Sequence, residues 1–488
     1  MATTAHEALA QETTKSKRDT KLALGPLIGI VIGSMIGSGA YSLPQNMAAG
    51  AGPAAVLIGW LITGIGVLAL AFVYQDLAVR RPELNAGPYA YARAGFGSFI
   101  GFNSAWGYWL SAWLGNVSYA VLIFSALGYF WPIFGEGNTW QAIVGASACL
   151  WVIHWLALRG VHQAAFANAI TTIAKVVPLI LFIVLLLFAF HLRTFSVDFW
   201  GGAKLGSLFT QVKSTMLVTL WAFIGIEGAS VVSARARKRP DIGRATVLGF
   251  TATLVLYVLV SVLAFGILQQ GALGQLKNPS TAGVLQAAVG SWGAGLMTIG
   301  LVISVGGAFL SWTLLAAEIP FSAGRDHTMP KLFAAENDNG SPVTSLWITN
   351  GLVQLFLIVA LFRQSTYYAL FYTATAAILV PYVFSGAYAL KLAITGESYE
   401  AEAKPRRKDM FIGLVATVYG IWLVYAAGLA YLLMVALLYA PGIIFYVVAR
   451  RQNQKRLFNV WEILIAIGLV AAAIIAAVLI ARGTISPL

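Results

Sequence analysis

Charge is what this 488-residue chain has least of: Asp, Glu, Lys and Arg make up 10% of it. Soluble globular proteins carry about a quarter. That shortage excludes a soluble enzyme. Cysteine is almost absent too, with Cys149 alone, so a disulfide framework and a paired-thiol redox motif are both excluded. The five histidines, His6, His154, His162, His191 and His327, fall at no metal-ligand spacing. Neither a phosphate-binding loop nor a Gly-x-Ser-x-Gly elbow occurs. No metal, cofactor or catalytic set is therefore expected, and the chain is read as a non-enzyme. Long polar stretches are missing after the first 20 residues, which leaves no segment for a soluble appendage. Residues 1–20 read as a disordered tail without the features of a signal peptide.

What is present is apolar length. The chain is 59% hydrophobic with mean hydropathy +0.80. A helix needs roughly 20 apolar residues to cross a bilayer. Such runs fall near 22–46, 54–79, 97–130, 140–158, 166–190, 213–233, 246–268, 288–317, 344–362, 367–390, 410–427, 429–449 and 459–481, numbered here as spans 1 to 13. The expected class is an all-α integral membrane protein with about 13 transmembrane helices.

The net charge of +13 suggests nucleic acid until the cations are placed. With the N-terminus in the cytoplasm and the spans alternating, 24 of the 31 Lys and Arg lie inside, 6 outside and one, Lys175, within a span. That asymmetry is the positive-inside pattern. It accounts for the charge as topology, with the lipid bilayer and no nucleic acid as partner. The basic inner segments also suit anionic lipid.

Two spans are interrupted. Span 1 carries Gly33-Ser34-Met35-Ile36-Gly37-Ser38-Gly39, and span 6 carries Trp221-Ala222-Phe223-Ile224-Gly225-Ile226-Glu227-Gly228. Glycines in membrane helices commonly serve as packing notches. Two clusters five spans apart point instead to inverted repeats over spans 1–5 and 6–10. A break frees N–H groups on one half-helix and C=O groups on the other. The first attract a carboxylate and the second an ammonium. Together they form a receptor for an α-amino-acid zwitterion.

These residues carry a family resemblance. Ile36-Gly37-Ser38-Gly39 resembles the first-span signature of the amino acid–polyamine–organocation superfamily. Pro82-Glu83-Leu84-Asn85-Ala86-Gly87-Pro88-Tyr89-Ala90-Tyr91 is similar to its P-E-L-x-x-A-G-x-Y-x-Y segment. Trp221 to Glu227 and Pro342-Val343 resemble the basic amino acid/polyamine antiporter branch. Gly101 to Trp109 is most like arginine/ornithine antiporters. The likeness covers about residues 22–450. It implies a leucine-transporter-type fold of 5+5 inverted repeats with broken helices 1 and 6. It divides the chain into the tail 1–20, a twelve-helix transport domain 21–450, and an extra helix in 451–488.

The resemblance also implies roles. Ser38 and Gly39 would bind the substrate carboxylate. Carbonyls of Met35, Trp221 and Ile224 would hold its ammonium. Trp221 would stack on a cationic side chain, and Asn116 would hydrogen-bond the end of that chain. Tyr108 and Trp312 would act as gate or lid aromatics. Thr373 and Thr375 are candidates for a contact from span 10. Glu227 has two readings, a proton sensor or a tie for the broken backbone. Lys175 also has two, an ammonium in the place of a coupling sodium or a side chain snorkelling to the surface. The implied activity is exchange of cationic amino acids of the arginine/ornithine type across the inner membrane. The alternative is a proton-coupled lysine or arginine permease, or another exchanger of cationic amino acids or polyamines. Family members occur as monomers and homodimers, so a homodimer is compatible with the sequence.

Overall fold

The computed structural model describes residues 23–84, 87–160, 164–227, 239–362, 366–399 and 403–485. The polar tail lies outside them, as do Arg235, Arg237 and Lys238. Every regular element among the described residues is a helix. This follows from the solvent: in hydrocarbon a backbone must satisfy its own polar groups, and helices do so within one segment.

Among the described residues each of the thirteen apolar runs falls on a helix or a helix pair; residues 228–233 of the sixth lie outside them. Nine described helices are long and apolar enough to cross a membrane, ten if the bent first pair is one span. Part of the difference has physical causes. Spans 11 and 12 form one helical stretch, Pro405–Gln452, of 48 residues. Gly428 divides it with φ 78° and ψ 158°, a conformation that needs glycine. The described helix of span 6, Leu208–Phe223, is only 16 residues long because the break ends it.

Span 1 is two helices, Leu24–Met35 and Ser38–Ala48, bent by 49°. Ile36 is extended (φ −75°, ψ 106°) and Gly37 leaves helical space altogether (φ −133°, ψ −146°). Span 6 stops at Phe223; Ile224 turns to ψ 128° and Gly225 to φ 108°. The two breaks meet. A Cβ on Gly225 would lie 2.6 Å from the Ser34 carbonyl oxygen, so only glycine lets the backbones come this close.

Span 3, Ser98–Leu127, runs through the centre and is buried almost throughout from Phe99 to Phe124. Spans 2, 6 and 7 are stitched by Thr63 to Thr219 (2.6 Å) and by Trp60 Nε1 to Ser261 Oγ (2.8 Å). Span 13, Val460–Ala481, is a peripheral helix burying Ala473 and Ala476. Its Glu462 joins two helix starts: it closes a capping box with Asn459, and its Oε1 accepts from Phe99 N at the start of span 3 (3.3 Å). Phe458 adds an edge-on contact with Phe99 at 5.6 Å.

Candidate functional site

A cavity lies between the two breaks. Met35, Gly37, Ser38 and Gly39 line it from span 1, Trp221 and Ile224 from span 6, Ser111, Gly115 and Tyr119 from span 3, and Trp312 from span 8. The space left between these side chains is about that of a single water molecule, so side chains must move to admit an amino acid.

The helix Ser38–Ala48 points its N-terminus at this cavity with no side chain capping it. Its first N–H groups are therefore free for an anion. Ser38 is fully buried, and its Oγ has no hydrogen-bond partner among the described residues. The opposite pole is partly engaged. Gly33 O, released by the break, accepts from Lys175 Nζ (3.0 Å), and Met35 O accepts from Tyr257 OH (2.9 Å). Trp221 O accepts a turn bond from Ile224 N at 3.3 Å. A carbonyl has two lone pairs, so Met35 and Trp221 each keep acceptor capacity.

Trp221 bridges the cavity. A Cβ on Gly39 would sit 2.9 Å from its Cδ1, and one on Gly115 would sit 3.2 Å from its Cη2. The indole thus spans from span 1 to span 3, resting on two glycines. Phe371 and Tyr119 brace it edge-on, with ring centroids 5.2 and 6.3 Å away. None of the residues lining the cavity carries a charge.

Glu227 sits beside this cavity. It accepts from Tyr108 OH (2.7 Å), Tyr382 OH (2.7 Å) and Gly225 N (3.2 Å), so spans 3, 6 and 10 converge on one carboxylate. Lys175 is 2% exposed, with its ammonium on Gly33 O; it does not reach the surface. Toward the Ala48 end of span 1, Ser42 meets Tyr367 OH (3.3 Å). There Gln45 is hydrogen-bonded to Tyr368, which also receives Asn278 Nδ2 (2.8 Å).

The structure thus brings Met35, Ser38, Gly39, Trp221, Ile224 and Trp312 together. Tyr108 is held on Glu227 and does not line the cavity. Asn116 lies behind the wall, its Nδ2 on Thr313 Oγ1 (3.4 Å). Thr373 and Thr375 are buried elsewhere, and the Thr375 hydroxyl bonds to Phe371 O (2.8 Å). Sequence reasoning missed Ser111, Gly115, Tyr119, Phe371 and Tyr382. The spacing 111, 115, 119 puts three of them on one face of span 3, but in a helix buried on every side nothing in the sequence marks that face. Among the described residues no group of three or more His, Cys, Asp or Glu could hold a metal.

A family model described as amino acid permease matches residues 25–471. The chain belongs to the amino acid permease family. An arginine/ornithine antiporter of Pseudomonas aeruginosa is 55% identical to the permease over 465 residues, covering 94% of this chain and 96% of that one. A putative arginine/ornithine antiporter of Escherichia coli is 48% identical, covering 89% and 93%. An arginine/agmatine antiporter of Chlamydia pneumoniae is 45% identical, covering 92% and 95%. Two solved transporters share the permease's fold at low identity. MhsT in complex with L-phenylalanine has a TM-score of 0.58 at 14% identity, covering 84% of this chain and 99% of its own. A sodium-coupled sialic acid symporter has 0.51 at 12%, covering 85% and 91%. The permease is a multi-pass membrane transporter with the broken-helix fold of the leucine-transporter type.

Proposed function

We propose that this permease exchanges cationic amino acids, arginine against ornithine in the first instance, across a bacterial inner membrane with its N-terminus in the cytoplasm. One observation carries the reading: an uncharged cavity lies between two helix breaks, with a free helix N-terminus at one end and an indole laid along it. The names of the relatives point the same way.

The substrate carboxylate sits on the N–H groups around Ser38 and Gly39, and its ammonium on carbonyls of Met35, Trp221 and Ile224. The side chain lies along Trp221. A cation in hydrocarbon costs several kcal/mol unless it is paired. Stacking on a desolvated indole returns about 2 kcal/mol. A carboxylate partner would hold the cargo harder, and a carrier has to let it go. Glu227 ties three spans together and reads protons when that tie opens. Trp312 closes over the substrate, while Tyr108 gates through its bond to Glu227. Lys175 occupies the place of a coupling cation, so no sodium is required. Alternating access follows as the elements meeting at the two breaks rock around this site.

The test is counterflow in proteoliposomes of the purified protein. Labelled arginine should enter vesicles loaded with ornithine at least tenfold faster than empty ones. Equal entry into empty vesicles refutes exchange and favours a permease of the proton-coupled kind.

A further inference from the structure

Buried hydroxyls on membrane helices commonly satisfy themselves on the carbonyl one turn back. Thr253, Ser261, Thr298, Thr375 and Ser385 all do so, at 2.7–2.8 Å. Ser111 does not. It is 2% exposed, its Oγ has no partner among the described residues, and it lines the cavity. Ser104 is equally buried and unpartnered one heptad earlier on span 3, but it is not in the cavity wall. Asn116 Oδ1 is unpartnered too, and also lies outside that wall.

Trp221 gives Ser111 its meaning. The indole starts at Gly39, beside the free helix N-terminus, and its far edge rests on Gly115. A side chain that leaves the carboxylate seat and stacks along this ring ends against span 3. Ser111 is one helical turn from Gly115 on the same face, so its hydroxyl stands where that side chain terminates. A hydroxyl with no partner of its own keeps both lone pairs free to accept from a cation.

Resting on the exchange reading above, we propose that Ser111 Oγ accepts a hydrogen bond from the terminal cation of the substrate side chain and favours guanidinium over ammonium. The preference comes from shape. A guanidinium stacked on the indole is fixed in plane and presents its N–H fork toward the span 3 wall. An ammonium has three rotatable donors and settles on other acceptors when one is lost. Ser111 is thus a specificity residue in direct contact with the substrate.

The test measures binding of arginine and of ornithine to the purified full-length protein by calorimetry, without transport. Ser111→Ala should weaken arginine about tenfold or more, the size of a hydrogen bond to a charged donor. Ornithine should weaken less than threefold. Ser111→Cys, which keeps the volume with a poorer acceptor, should follow Ser111→Ala, and Ser104→Ala should bind both like wild type. Unchanged arginine affinity in both Ser111 variants overturns the inference while leaving the exchange reading intact. Equal losses for the two amino acids overturn the preference. A wild-type protein that binds neither compound overturns the function itself, a failure seen before any variant is made.

Discussion

Gly225→Ala tests whether the two breaks must touch. The new Cβ would stand 2.6 Å from Ser34 O, where ordinary contact begins at 3.4 Å, a shortfall of about 0.8 Å. The obstacle is backbone, so no side chain can swing aside. Gly225 also sits at φ 108°, where a residue with a Cβ costs of order 1–3 kcal/mol. Overpacking adds about 1–3 kcal/mol. Together these reach about 2–6 kcal/mol, enough to part the breaks or rebuild the turn that presents Ile224. Misplacement of a binding geometry by about 1 Å can cost about a hundredfold in rate. We expect arginine/ornithine counterflow to fall at least thirtyfold, with the thermal transition of the detergent-solubilised protein lowered. Gly306→Ala is the control: a Cβ there has nothing within 4 Å and lies inside a helix, so it should be neutral or slightly stabilising. A Gly225→Ala protein with wild-type counterflow and stability would refute the claim that the breaks are in obligatory contact.

Trp221→Leu removes the ring that bridges Gly39 and Gly115; arginine affinity should fall about thirtyfold, the worth of about 2 kcal/mol of desolvated cation–π stacking, and unchanged binding would remove the central contact. In Glu227→Gln the amide nitrogen cannot accept from a tyrosine hydroxyl, so the junction of spans 3, 6 and 10 loosens. Counterflow should slow and lose its dependence on pH, and a variant with the wild-type pH profile would leave Glu227 with the tie alone. Exchange should run equally fast in sodium and choline salts, and a sodium requirement would sink the role given to Lys175. Glu462→Ala strips the cap from span 13 and a bond from the start of span 3. Thermal stability should drop by about 1–2 kcal/mol with exchange rates unchanged, and a lost activity would place span 13 inside the transport machinery.

The membrane class, the spans and both breaks could be read from residues alone, because bilayer thickness imposes a length and mid-helix Gly and Ser interrupt it visibly. Met35, Ser38, Gly39, Trp221 and Ile224 were legible for the same reason: they stand in or beside the breaks. Trp312 followed from its motif. The rotation of span 3 was not legible. A helix buried on every side has no polar and apolar faces, so nothing in its sequence says which residues look into a cavity. The resemblance pointed to Asn116, yet Asn116 lies one residue off the stripe of Ser111, Gly115 and Tyr119. The resemblance offered Thr373 and Thr375 before Pro381 as candidates, while Tyr382 carries the contact to Glu227.

The sequence by itself determined that this chain crosses a membrane many times and must break in its first and sixth spans, since hydrocarbon thickness and free peptide poles depend on local composition. Only the tertiary structure decided what fills the space between those breaks. Which hydroxyl, ring or carboxylate faces the cavity depends on how neighbouring helices are turned about their axes, and that angle is set by packing among side chains far apart in the chain.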